Sequence, residues 1–135
     1  MLFRSAYNKG FECGRIKELA RAFPDLATHL LNIESNMADF LVPFRSGYYY
    51  NKAMAMGGKF SIKIVLPALF PNDPELDYHN LDGVHNGTEA MTIFPKIKDM
   101  PPEEQAITRH NLLKYCELDT YAMVKLWEDL ERVAK

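Results

Sequence analysis

Towards the C-terminus, apolar positions recur at helical period: Leu112, Tyr115/Cys116, Ala122/Met123, Leu126, Leu130 and Val133. This spacing predicts a helix of up to about 30 residues, opened by Pro102-Glu103-Glu104, whose proline and acids suit a first turn. Asp119 falls inside the apolar stripe. An ionised carboxylate taken out of water costs several kcal/mol unless donors or a cation compensate it, so its place needs a reason. One reason is a break, with Asp119 capping a new helix from Thr120, although no Glu or Gln follows three residues later. The other is chemistry, because Tyr115, one turn earlier, projects from the same face.

The remaining pattern predicts shorter elements. Leu2 to Tyr7 reads as a strand, and Gly10 marks the passage into a helix from about Phe11 to Phe23, with Phe11, Ile16, Leu19, Ala20 and Phe23 as its core face. Pro24-Asp25 stops it, and a second helix follows from about Leu26 to Glu34, presenting Leu26, Leu30, Leu31 and Ile33. Met37 to Val42 fits a strand or one helical turn. Phe44 to Lys59 has no clear period and reads as an exposed connection bearing Tyr48-Tyr49-Tyr50. Gly58-Lys59 is not a phosphate loop, since Phe60 stands where Ser or Thr is required. A short helix from Ile62 to about Leu66 is expected to be interrupted or kinked at Pro67. A proline-bearing loop, Phe70 to Glu75, comes next, then a helix from Thr88 to Phe94 and a polar stretch from Lys96 to Pro102. His79 and His85 match no metal-ligand spacing and suit surface or capping roles.

Composition narrows the classes. At 135 residues, the chain is read as one domain with an independent core. A net charge of −2 gives no overall electrostatic footprint for nucleic acid, so any such contact must be local. The two cysteines, Cys13 and Cys116, form neither a metal motif nor a disulfide framework, which predicts a reduced, cytoplasmic protein. The N-terminus lacks the features of a signal peptide, and no apolar run approaches the roughly 18 residues of a membrane span, so no membrane is expected as partner.

A second carboxylate stands at a junction, in Tyr7-Asn8-Lys9-Gly10-Phe11-Glu12. Asn8 as a helix cap and Glu12 as a solvated first-turn acid would be its ordinary explanation. Taken with Tyr115-x-x-x-Asp119, however, the order and spacing resemble two of the three motifs of the RNase H-like 3′-5′ exonucleases, the DEDD superfamily in its tyrosine subtype. Asn8 to Glu12 is similar to the second motif, with Glu in place of the usual Asp, and Tyr115 to Asp119 to the third. The chain more closely resembles the DUF2779 family. That resemblance rests on Tyr7 to Glu12, Ser61-Ile62-Lys63-Ile64-Val65-Leu66-Pro67, Asn86-Gly87-Thr88-Glu89-Ala90-Met91 and Tyr115 to Met123, and so extends over nearly all of the chain.

The resemblance implies an α/β fold: a predominantly helical C-terminal portion of an RNase H-like domain, with one or two short parallel strands and the first strands missing. In the complete domain, it implies Mg²⁺ or Mn²⁺ held by carboxylates. Asp119 and Glu12 would be metal ligands, Tyr115 would orient the attacking water, and Asn8 would belong to the second motif. The first motif, Asp-x-Glu, should lie upstream of the second, yet seven residues precede Asn8. Asp73-Pro74-Glu75 is no substitute, because proline does not suit a central strand, nor is Asp129-Leu130-Glu131 at a helix end.

The chain therefore looks like the C-terminal part of a probable nuclease domain whose parent hydrolyses DNA or RNA. On its own it is expected to be inactive, with no metal bound. Its expected partners are the missing N-terminal segment and a second copy docked on the uncovered edge of the first strand. A noncatalytic RNase H-like module, binding nucleic acid or protein, is the alternative; an unrelated all-helical interaction module is a third. Tyr49, Lys52, Lys59 and Lys63 would form a single-strand track under the nucleic-acid readings. Core aromatics and solvated charges explain the same residues more simply.

Overall fold

A computed structural model describes residues 4–49 and 60–135. The chain divides into two compact units, 1–62 and 63–135. It is mostly helical, with a single two-stranded parallel sheet among the described residues.

In the first unit, strand β1 (Ser5–Ala6) pairs in parallel with β2 (Ala38–Asp39), Ser5 opposite Ala38 and Ala6 opposite Asp39. Between them run α1 (Gly10–Ala22), a 3-10 turn (Pro24–Leu26) and α2 (Ala27–Ser35), as a parallel pair requires a crossover. The stretch 37–42 is thus a strand that leads into the single-turn helix α3 (Val42–Arg45), combining both sequence alternatives.

Helix α1 presents a different face inward from the one its bulky residues suggested. Cys13 and Ala20 are buried, whereas Phe11, Leu19 and Phe23 are 57%, 46% and 54% exposed. Positions 13, 16 and 20 share one side at helical period, with Ile16 half-buried between the two buried small residues, and α1 packs against α2. Lys17 crosses to Glu34 on α2 at 3.2 Å. Leu26, which belongs to the 3-10 turn, and Leu31 on α2 are likewise exposed. Of the connection expected from Phe44 to Lys59, residues 50–59 lie outside the described residues; Tyr48 is exposed, but the start is packed. Phe44, on α3, is 1% exposed, and its ring meets Tyr49 at 5.5 Å and Tyr7 at 6.4 Å.

In the second unit, α4 (Ile62–Leu69, starting at the boundary) runs through Pro67 instead of stopping there. Two 3-10 turns follow, Pro74–Leu76 and Tyr78–Asn80, each capped by the aspartate before it: Asp73 accepts from the Glu75 N–H and Asp77 from the His79 N–H. Helix α5 (Gly87–Ile93) is capped by Asn86, and the polar stretch after it forms a further 3-10 segment, Phe94–Asp99. Ahead of α5, Gly83 sits at φ +72°, a left-handed conformation that favours glycine, and a Cβ there would meet Asn111 Nδ2 of α6 at 2.7 Å.

Helix α6 (Pro102–Val133) is unbroken over 32 residues. The capping explanation of Asp119 is therefore wrong. The helix passes through Thr120, whose hydroxyl donates back to the Cys116 carbonyl at 3.0 Å, a bond compatible with uninterrupted helix. The buried stripe is Leu118, Ala122, Leu126 and Asp129, with Tyr115 and Asp119 half-buried beside it; Cys116 and Val133 are exposed. No helix among the described residues is long and apolar enough to cross a membrane.

Candidate functional site

Asp119 lies where α6 meets the second 3-10 turn. The Tyr78 hydroxyl donates to Asp119 Oδ1 at 2.6 Å, and the Tyr78 and Tyr115 rings stand 6.1 Å apart at 57°. Burial, then the hydrogen bond and charge of Asp119, push the Tyr78 phenol well above its ordinary range. Tyr115 is shifted the same way, by burial first, then by the Asp119 charge and a hydrogen bond to that carboxylate. Two phenols thus face one carboxylate. Gly87, at the start of α5, lies beside the Tyr115 hydroxyl, 3.7 Å from where its Cβ would be. Lys63, near the start of α4, holds its ammonium 5.9 Å from the centre of the Tyr78 ring, within cation–π range.

Asn8 and Glu12 belong to the first unit. Asn8 does not cap α1; Lys9 occupies that position without a side-chain bond. Asn8 adopts φ +63°, a left-handed conformation that asparagine tolerates better than most residues. Its N–H donates to Asp39 Oδ1 at 2.9 Å, and the same oxygen accepts from the Leu41 N–H at 3.0 Å. Asp39 therefore ties the turn after β1 to the end of β2. Glu12, in the first turn of α1, is not the fully solvated acid of the ordinary explanation: its Oε2 is buried and without a hydrogen-bond partner.

The second unit thus gathers Tyr115, Asp119 and Lys63 with Tyr78, while the first holds Asn8 and Glu12. Tyr49 is half-buried against Phe44, as a core aromatic would be, and Lys52 and Lys59 lie outside the described residues. Cys13 and Cys116 are free thiols, one buried and one exposed. Sequence reasoning missed Tyr78 and Asp39. Neither stands at a periodic position, and only the Asp-x-His cap after Asp77 marks the turn that presents Tyr78.

The donors suit the metal that the exonuclease resemblance implies. Carboxylate oxygens match the hard ions Mg²⁺ and Mn²⁺, and the orphaned Oε2 of Glu12 is an atom that a cation would satisfy. Among the described residues, no group of three or more His, Cys, Asp or Glu is placed to hold an ion.

Fold and site together define a mostly helical α/β chain with a phenol-bound carboxylate on its long C-terminal helix. Residues 4–61 match the family model described as Domain of unknown function (DUF2779), which supports that assignment over a span falling within the first unit. The match includes Asn8 to Glu12 and ends before Tyr115 to Asp119. No curated protein and no solved structure matches the chain.

Proposed function

We propose that the chain is the C-terminal part of a metal-dependent 3′-5′ exonuclease domain of RNase H-like type, whose parent hydrolyses phosphodiester bonds of DNA or RNA. The observation that carries this reading is Asp119, a half-buried carboxylate on an unbroken helix, bound by the Tyr78 phenol and not spent on a cap. Asp119 and Glu12 supply oxygen ligands, Tyr115 is placed beside Asp119 to orient a water, and Lys63 offers a cation to a phosphate. The bound ions of such a domain activate the attacking water and stabilise the leaving oxygen. With two of the expected carboxylates, the chain alone is inactive.

The test is hydrolysis of end-labelled single-stranded DNA and RNA in Mn²⁺, by the parent open reading frame and by the chain alone. The parent should degrade from the 3′ end and lose activity on Asp119→Asn, while the chain alone should show none. A parent that leaves both substrates intact would refute the reading.

One observation favours a noncatalytic module that binds nucleic acid or protein: the Tyr78 bond compensates Asp119 without any metal. Direct binding of labelled single strands, unchanged by EDTA and by Asp119→Asn, would support it. The reading also retains self-association. Among the described residues, β1 pairs only with β2, which leaves its other edge to a second copy. A monomer by light scattering at tens of micromolar would refute that contact. Both free thiols suit a reducing cytoplasm.

A further inference from the structure

We propose that the outward face of α6 is an interface for a second copy of this chain, the two helices running antiparallel about a two-fold axis beside Thr120 and Tyr121. Leu113, Cys116, Thr120, Val124 and Trp127, spaced by three or four residues, form one stripe on the side opposite the buried stripe of the same helix. All five are exposed, Leu113 at 70%, Val124 at 48% and Trp127 at 43%. A largely apolar stripe with a charged rim, on a helix that already has a buried face, is the composition of a protein contact surface.

The charges beside the stripe select the partner. Lys114 and Glu128 stand seven residues either side of Tyr121, and Glu117 and Lys125 stand four, so reversing the chain puts a glutamate where each lysine was. When identical helices meet antiparallel, each flank faces its own copy, and position i contacts j while j contacts i. Lys114 then lies opposite Glu128 and Glu117 opposite Lys125, each pair occurring twice. The stripe obeys the same symmetry, with Leu113 against Trp127, Cys116 against Val124 and Thr120 against its copy. A parallel pair would turn this flank toward the other one, where Leu112, Met123 and Leu130 offer no charge. A phosphate chain gains nothing from a flank of alternating sign. In one copy the same charges are neighbours along the helix, Lys114 to Glu117 at 2.7 Å and Lys125 to Glu128 at 3.5 Å. Three of the four side chains are more than half exposed, so exchanging these bonds for intermolecular ones costs little.

The experiment is sedimentation equilibrium of the 135-residue chain up to a few hundred micromolar. A contact of about four helical turns is smaller than a standard interface, so a micromolar dimer is expected. Lys114→Glu and Glu128→Lys should each weaken it about tenfold, because each turns two attractions into repulsions. The double variant Lys114→Glu/Glu128→Lys should restore the dimer, although it sets like charges side by side within each helix. An effect through helix stability alone would instead make the double variant the weakest. In a second measurement, Cys116→Ser/Thr120→Cys should form a disulfide-linked dimer on mild oxidation, since the axis brings position 120 beside its copy. The unaltered chain should not, because the antiparallel register holds Cys116 about 12 Å along the helix from its copy. A monomer throughout, a dimer that Lys114→Glu leaves unchanged or the double variant fails to restore, or a link through Cys116 overturns the inference. A dimer indifferent to these charges associates through another surface, such as the edge of β1, and none of these outcomes bears on the nuclease reading.

Discussion

Replacing Tyr78 with phenylalanine removes one oxygen and one hydrogen bond, leaving the ring in its buried place beside Tyr115. The lost bond has a charged acceptor, for which typical contributions are about 1.5–3 kcal/mol. Asp119 is only half-buried, so solvent replaces part of the loss, and about 2 kcal/mol is the working figure. For a unit of this size each kcal/mol moves the melting midpoint by about 4–8 °C, giving a fall of about 8–16 °C. Asp119→Ala removes the acceptor and strands the Tyr78 hydroxyl, at about the same cost.

The double variant loses the bond once, so its destabilisation should fall short of the summed single effects by about 2 kcal/mol. Trp127, the single tryptophan of the chain, lies on α6 and reports unfolding of the second unit by fluorescence in a urea titration. Additivity within about 0.5 kcal/mol would show that the two side chains act independently, and would refute the bond as the reason Asp119 is tolerated in its stripe.

Other outcomes follow from the same packing. Leu126, fully buried on α6, should cost about 2–5 kcal/mol as alanine, measured in the same urea titration. Asn8→Gly should leave the first unit's thermal midpoint almost unchanged, whereas Asn8→Val should lower it by several degrees, because a β-branched residue resists φ +63°. The Tyr7, Tyr78 and Tyr115 phenols all ionise later in the folded chain than their ordinary value of 10.0, and burial is the first cause for each. Groups raised in this way give their full stabilisation below the unfolded value and lose it as pH rises beyond it. Stability measured by circular dichroism should therefore be insensitive to these phenols up to about pH 9.5 and fall steeply above about pH 10. A flat alkaline limb would contradict the buried phenols.

The long helix was legible because its period is sustained and Pro102-Glu103-Glu104 marks its start, and the anomaly at Asp119 was legible as a carboxylate in an apolar stripe. Its cause was not. Tyr78 is 41 residues away in sequence and reaches Asp119 from a 3-10 turn too short to have a period. In α1 the large side chains misled, since Cys13 and Ala20 are buried while Phe11 and Leu19 are exposed. Pro67 left a stop or a kink open, and α4 continues past it to Leu69. The turn at Asn8 depends on Asp39, which joins it only once the two strands are side by side.

The pairing of β1 with β2 has a consequence in time. Ser5 and Ala38 meet across a crossover made of two helices that need only near neighbours to form. Helices of this length form within about a microsecond, whereas the ladder must wait until both have docked. The ladder is thus the non-local contact of the first unit, and the Asp39 bonds to Asn8 and Leu41 depend on it. Loss of this one pairing would release the turn next to Glu12, so the placing of that side chain depends on a contact that spans more than thirty residues of sequence.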